Sequence, residues 1–180
     1  MQLDVPLKEL FDRSVSQMRA VLPDSDNELW DVASQRRDHY AVHGETRSIV
    51  FKWLDNAWRP GLPTSVKDYD YAPKALALQA QAFGSKLAAH FRGRVVKLML
   101  AELRSGAQIP PHRDAAPALI LAHRCHLPIT TNPEVDFFID GVAYHLQAGK
   151  AYEFDNTREH AVANRSGSTR VHLICDVLPN

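Results

Sequence analysis

The sequence predicts a mainly β protein with flanking helices, its second half rolled into a sandwich or jelly roll. Three observations predict this. After Gly93, short β-rich segments follow one another between turn residues, and six or more strands at that spacing argue against βαβ units. Asp140-Gly141, between Phe137-Phe138-Ile139 and Val142-Ala143-Tyr144, is a two-residue hairpin signal. Helical spacing is confined to the first half. The 180 residues are expected to form a single domain, 1–180. Within it, residues 1–92 read as a helix-rich buttress with one or two strands, and residues 93–180 as the β core.

Taken in order, Leu7, Leu10, Phe11, Val15, Met18 and Val21-Leu22 recur at intervals of three and four and stop at Pro23. That spacing predicts a helix whose apolar stripe packs on the core. HYAVHGETRSIVFKWL, residues 39–54, alternates well enough for one or two strands. Residues 72–90, rich in Ala, Leu and Gln, predict a second helix. RVVKLMLAELRSG, ALILAHRCHLPIT, DFFIDGVAYHLQAG, KAYEFDN, HAVANRSG and TRVHLICDVLP then supply the strands. Two helices buttressing a small barrel leave an interior able to hold a ligand.

Lys+Arg and Asp+Glu balance at 21 each, so no global field draws the chain to nucleic acid or to an anionic membrane. No stretch approaches the 18 or so apolar residues of a membrane span. The first residues carry early acids and no long apolar core, unlike a signal peptide. Cys125 and Cys175 both lie in apolar segments. Two free thiols in a reducing cytoplasm are the simplest reading, with a disulfide between them as the alternative.

PPHRDAAP places His112 and Asp114 one residue apart. Alone, that triplet is most often a polar turn. His160, however, lies 48 residues downstream, and Arg170 follows ten residues after it. Two histidines and a carboxylate on one face of a metal leave three positions open, the arrangement used by non-haem Fe(II) oxygenases. A guanidinium at a fixed offset suits the far carboxylate of a dicarboxylate co-substrate such as 2-oxoglutarate.

Strand parity sharpens the expectation, because side chains alternate across a strand. His112 and Asp114 share a face and Arg113 points away. His160, Val162 and Asn164 share one face. Arg170, His172, Ile174 and Asp176 share another, opposite Val171, Leu173, Cys175 and Val177. Arg124 and His126 turn together, away from Cys125. One interior is thus expected to receive His112, Asp114, His160, Arg170, Arg124 and His126. So much charge is costly to bury without a functional reason.

RCHLPITTNP, followed by GKAYEFDNTREHAVANRSGSTRVHLICDV, resembles the aspartyl/asparaginyl β-hydroxylase family of 2-oxoglutarate-dependent dioxygenases. The shared pattern is an R-x-H-L-P strand, a G-x-x-aromatic-x-F-D turn, and H-x-V-x-N and R-x-H-L strands, and the resemblance covers roughly residues 95 to 178. Free-proline cis-4-hydroxylases share the core and its His-x-Asp motif. The resemblance implies a double-stranded β-helix, a cupin-like jelly roll. It implies that His112, Asp114 and His160 bind Fe(II), that Arg170 holds the C5 carboxylate of 2-oxoglutarate, and that Arg124 and His126 lie near its chelating end. O₂ would be the second co-substrate. The expected reaction is hydroxylation of an unactivated C–H in an amino acid, an amino-acid-derived metabolite or a peptide side chain, giving succinate and CO₂ as co-products.

A small amino acid as substrate would need a cation for its carboxylate, and Arg47, Arg113 and Arg158 are the candidates. Asn164 and Asp155 read as turn stabilisers. His172 reads equally well as a hydrogen-bonded core histidine, and His123 and His145 as structural or exposed. His39 and His43 have no partner by spacing. Trp30, Trp53 and Trp58 read as core, Trp58 also as a possible pocket rim. Competing readings are a non-catalytic cupin that binds metal or a small ligand, a halogenase, which Asp114 argues against, and a zinc hydrolase, which leaves Arg170 without a role.

Overall fold

A computed structural model describes residues 3–33 and 41–180. Among the described residues, eleven strands form two sheets. The larger has seven, in the order β1 (Leu7–Asp12), β9 (Lys150–Phe154), β6 (His123–Thr130), β11 (Arg170–Pro179), β4 (Gly93–Leu103), β2 (Thr46–Leu54) and β3 (Val66–Asp68). The smaller has four, in the order β5 (Gln108–His112), β10 (His160–Asn164), β7 (Val135–Ile139) and β8 (Val142–Tyr144). All the strand pairings are antiparallel. Leu103, Tyr152 and Phe154 of the larger sheet pack with Ile109, Phe137 and Val162 of the smaller. This is the jelly roll, or double-stranded β-helix, that the strand spacing predicts.

The long helix, here α2 (Lys74–Phe91), follows the short α1 (Ser16–Arg19) and lies within two residues of its predicted span. Leu76, Phe83 and Leu87 of α2 pack with Leu98, Leu100, Leu127, Leu173 and Cys175 on the outer face of the larger sheet. Covered on both faces, β4, β6 and β11 are buried nearly throughout, which is why they read as apolar runs. Between β7 and β8, Asp140 and Gly141 have φ of 49° and 79°, the two positive values a type I′ turn requires.

Three expectations are corrected. Residues 7–12 are strand β1 rather than helix, paired with β9, and the only α-helix in the expected span is α1. The register shifts between Glu9 and Phe11, and this bulge breaks the alternation. Leu7, Leu10 and Phe11 then fall at the three-four spacing of a helix. The stripe does pack on the core, with Val15 and Met18 buried. Residues 118–121, expected as strand, belong instead to the short α3 (Pro117–Leu121). The N-terminal half contributes three strands, β1, β2 and β3, to the larger sheet. In the segment 39–54, one strand forms, β2, and His39 and Tyr40 lie outside the described residues.

Candidate metal centre

His112 ends β5, His160 begins β10, and the two stand opposite each other in the register of the smaller sheet. Their rings lie 4.1 Å apart between centroids. Asp114 follows β5, and its backbone N–H donates to Asn156 O at 3.0 Å. One ligand atom from each of His112, Asp114 and His160 lies within 4.8 Å of the others.

The hydrogen bonds around the three groups settle which atoms face inward. His112 Nδ1 is 2.9 Å from Pro110 O, and His160 Nδ1 is 2.9 Å from Arg158 O. Each Nδ1 therefore donates its proton to a carbonyl, which leaves the Nε2 lone pair available, the tautomer a metal-binding imidazole needs. Asp114 Oδ2 accepts from Arg124 Nη1 and from Asn156 Nδ2, the latter at 3.0 Å, leaving Oδ1. Burial pushes the Asp114 carboxyl up, but the Arg124 charge and the Asn156 hydrogen bond outweigh it and hold the group below the usual carboxylate range. Burial lowers His160 to about 4. Two neutral imidazoles and a carboxylate suit a divalent transition metal such as Fe(II), so the donor set fits that ion.

Arg124 Nε and Nη2 donate to Asp176 Oδ1 and Oδ2 at 2.8 and 2.7 Å. Arg170 is buried at 2% exposure, its Nη2 against His172 Nδ1. His126 Nδ1 is 3.3 Å from His172 Nδ1, and the His126 ring packs edge-on against Phe137 and Phe154. Burial and the Arg170 charge drive His172 well below the ordinary histidine range. The faces of β6, β10 and β11 are those parity predicts, with Val171, Leu173, Cys175 and Val177 in the outer core.

A cavity of about 210 Å³ opens beside the triad, walled by Val42, Trp53, Met99 and Leu119. Its polar groups are His43, Lys97, Arg113 and Arg124 with the ligands His112 and Asp114. Arg113 therefore reaches the site from the turn after β5, where alternation ends. The structure does not bring Arg47 or Arg158 to this cavity. Arg47 is bound to Glu102 at 2.8 Å and Asp31 at 2.9 Å, and Arg158 to Asp140 at 2.7 Å. Asp155 accepts from Thr157 N–H and Oγ–H within its turn, as expected. Asn164, the last residue of β10, donates Nδ2 to Ser168 O across the following turn, as expected, and also to the Leu103 and Arg104 carbonyls at the end of β4.

Sequence reasoning missed His43, Lys97 and Asn156. His43 packs edge-on against His112 at 5.2 Å. Lys97 carried a signal, being a charge between the apolar runs Val95-Val96 and Leu98–Ala101. Asn156 and His43 carried none.

The model of the family described as aspartyl/asparaginyl β-hydroxylase matches residues 27–179. The chain belongs to that family. It is therefore an oxygenase enzyme of the hydroxylase class. No curated protein matches in sequence. A prolyl-4-hydroxylase from Pseudomonas putida is similar in fold, with a TM-score of 0.54 and 16% identity, over 97% of this chain and 93% of that one. A 2OG-Fe(II) oxygenase family oxidoreductase from Burkholderia pseudomallei aligns at TM-score 0.52 and 12% identity, over 87% and 93% of the two chains. AerE from Microcystis aeruginosa matches at 0.36 and 18% identity over 46% of this chain, which spans only 35% of that protein. Among the described residues of this family member, no helix is long and apolar enough to cross a membrane.

Proposed function

We propose that this chain is an Fe(II)- and 2-oxoglutarate-dependent hydroxylase acting on a small molecule or a peptide side chain. The observation that carries the reading is the triad itself. His112 and His160 are each fixed at Nδ1 by a backbone carbonyl, and Asp114 is held at one oxygen by Arg124 and Asn156. His112 Nε2, His160 Nε2 and Asp114 Oδ1 would hold the iron on one side. Bound Fe(II), with 2-oxoglutarate and O₂, supplies the oxidising power to convert an unactivated C–H to C–OH, with succinate and CO₂ as co-products.

The remaining residues bind, orient and exclude water. Arg170, sealed on β11, would take the far carboxylate of 2-oxoglutarate in a bidentate contact. His126 would border the same molecule from β6. Arg124 acts through Asp114, since its guanidinium already spans Asp114 and Asp176. Phe137 and Phe154 pack on His160, at 6.4 and 5.1 Å, and keep that side dry. Cys125 and Cys175, both free and buried, suit a reducing compartment, and we place the enzyme's work in the cytoplasm.

The test is succinate formation by anaerobically purified protein given Fe(II), 2-oxoglutarate, ascorbate and O₂. It would be run over free amino acids and short peptides, with His112→Ala and Arg170→Ala alongside. Turnover lost in both variants supports the reading. Tight metal binding with no turnover on any compound would favour a non-catalytic metal-binding cupin.

A further inference from the structure

A strand at the edge of a sheet offers its outer backbone groups to any other strand, and proteins guard such edges with charge, proline or a bulge. Among the described residues the two sheets end on β1, β3, β5 and β8. The first three are guarded. β1 carries Lys8, Glu9 and Asp12, with a bulge between Glu9 and Phe11. β3 carries Lys67 and Asp68, and β5 carries Pro110 and Pro111. β8 is Val142-Ala143-Tyr144, with neither charge nor proline. Gly141, Val142 and Ala143 are exposed, Val142 at 55%.

The hairpin of β7 and β8 fixes which backbone groups face outward. Its two-residue turn makes Ile139 and Val142 the closing pair, which exchanges both hydrogen bonds. Phe138 and Ala143, the next pair, do not bond across the hairpin, because the two kinds of pair alternate. Phe138 therefore turns its N–H and C=O toward Ala161 of β10. Ala143 turns both of its groups toward the outer edge.

We propose that β8 is the contact surface between two copies of this chain, paired antiparallel with its own equivalent about a two-fold axis at Ala143. The strand is self-complementary in that register. Ala143 N–H donates to the Ala143 carbonyl of the other copy, and symmetry supplies the reverse bond. Val142 of each copy stands opposite Tyr144 of the other. A β-branched residue facing an aromatic one is a favourable cross-strand pair, and Tyr144 is already anchored on the core that holds Phe137 and Leu146. One step further out, the exposed His145 of one copy falls opposite Gly141 of the other, beside Asp140. That carboxylate is 41% exposed and shared with Arg158 at 2.7 Å, so an imidazole is set next to an acid at both ends. An extended peptide of another sequence would gain the backbone bonds without these matched side chains. β10 and β7 separate β8 from His112 on β5, so the surface is distinct from the metal centre. A ladder this short is a small interface, and the association is concentration-dependent.

The test is sedimentation equilibrium of the full chain from micromolar to millimolar concentration. Monomer and dimer in exchange are expected, with Ala143→Pro weakening dimerisation at least tenfold. Proline suits this position in the monomer, because the Ala143 N–H is not used within the hairpin and edge strands tolerate the residue. Val142→Lys, a charge at an exposed site, is expected to weaken dimerisation equally. Hydrogen exchange gives a second readout. The Ala143 N–H is expected to exchange more slowly at millimolar than at micromolar concentration, and rapidly at both in Val142→Lys. A monomer at every concentration would overturn the proposal. So would a dimer that either folded variant leaves unchanged, or one in which the Ala143 N–H exchanges as fast as in the monomer. If Ala143→Pro does not fold, Val142→Lys decides alone.

Discussion

Arg124 holds Asp114 and Asp176 with one guanidinium, joining a candidate metal ligand on the smaller-sheet side to the central strand of the larger sheet. The bidentate edge faces Asp176, and the remaining Nη1 faces Asp114. Lysine cannot reproduce that fork. Arg124→Lys is expected to lower metal affinity by roughly 10–100-fold, the usual consequence of losing a ligand's hydrogen-bond partner. Arg124→Ala, which leaves Asp176 buried without its cation, is expected to cost about 3–5 kcal/mol of stability. Metal titration and urea unfolding measure the two effects. Unchanged affinity in Arg124→Lys would make the arginine purely structural.

The metal-free protein is expected to lose stability in mild acid. Burial holds His160 at about 4 and His172 well below the ordinary range. Unfolded histidines titrate near 6.5, so between those values the unfolded chain binds more protons than the folded one. Stability is complete above about pH 6.5 and falls as the pH drops toward 4, by up to about 3 kcal/mol for His160. Urea unfolding at pH 7 and at pH 5 should show the loss, and His160→Gln should reduce it. An identical pH dependence in that variant would remove His160 as its source.

Gly93 is expected to tolerate no side chain. A Cβ there would lie 2.5 Å from Leu178 O and 2.8 Å from Val177 Cγ1, where β4 starts after the left-handed Arg92 with φ 52°. Backbone has to move, so Gly93→Ala should cost about 1–3 kcal/mol. Thermal unfolding checks this, and an unchanged melting temperature would show that β4 can start elsewhere.

Both thiols should be silent in the native protein. Cys125 and Cys175 face each other in register, fully buried, and burial pushes both thiols well above their ordinary range. The thiolate is the reactive form. A thiol reagent is expected to label neither residue before unfolding and both after it. Native labelling at either position would mean that the α2 face opens readily.

The triad was legible in the sequence because His112 and Asp114 stand one residue apart with His160 48 residues on, and His112 and His160 fall on paired strands. Parity alone turns Arg124 and His126, or Arg170 and His172, toward one interior. The segments 7–12 and 118–121 were not legible, and for different reasons. In the first, a bulge imitates helical spacing. In the second, Ala118–Leu121 is an apolar run too short to separate strand from helix. The wall of the cavity was hidden for a third reason. Trp53, Lys97 and Asp176 become neighbours only through the order β11-β4-β2, a long-range choice that no local pattern records.

The most direct test of the central claim is anaerobic titration of 2-oxoglutarate into protein with and without one equivalent of Fe(II). The account predicts metal-dependent binding of one 2-oxoglutarate per chain, lost in Asp114→Ala together with the metal and lost in Arg170→Ala with the metal retained. Equal binding with and without Fe(II), or full binding by Arg170→Ala, would contradict it.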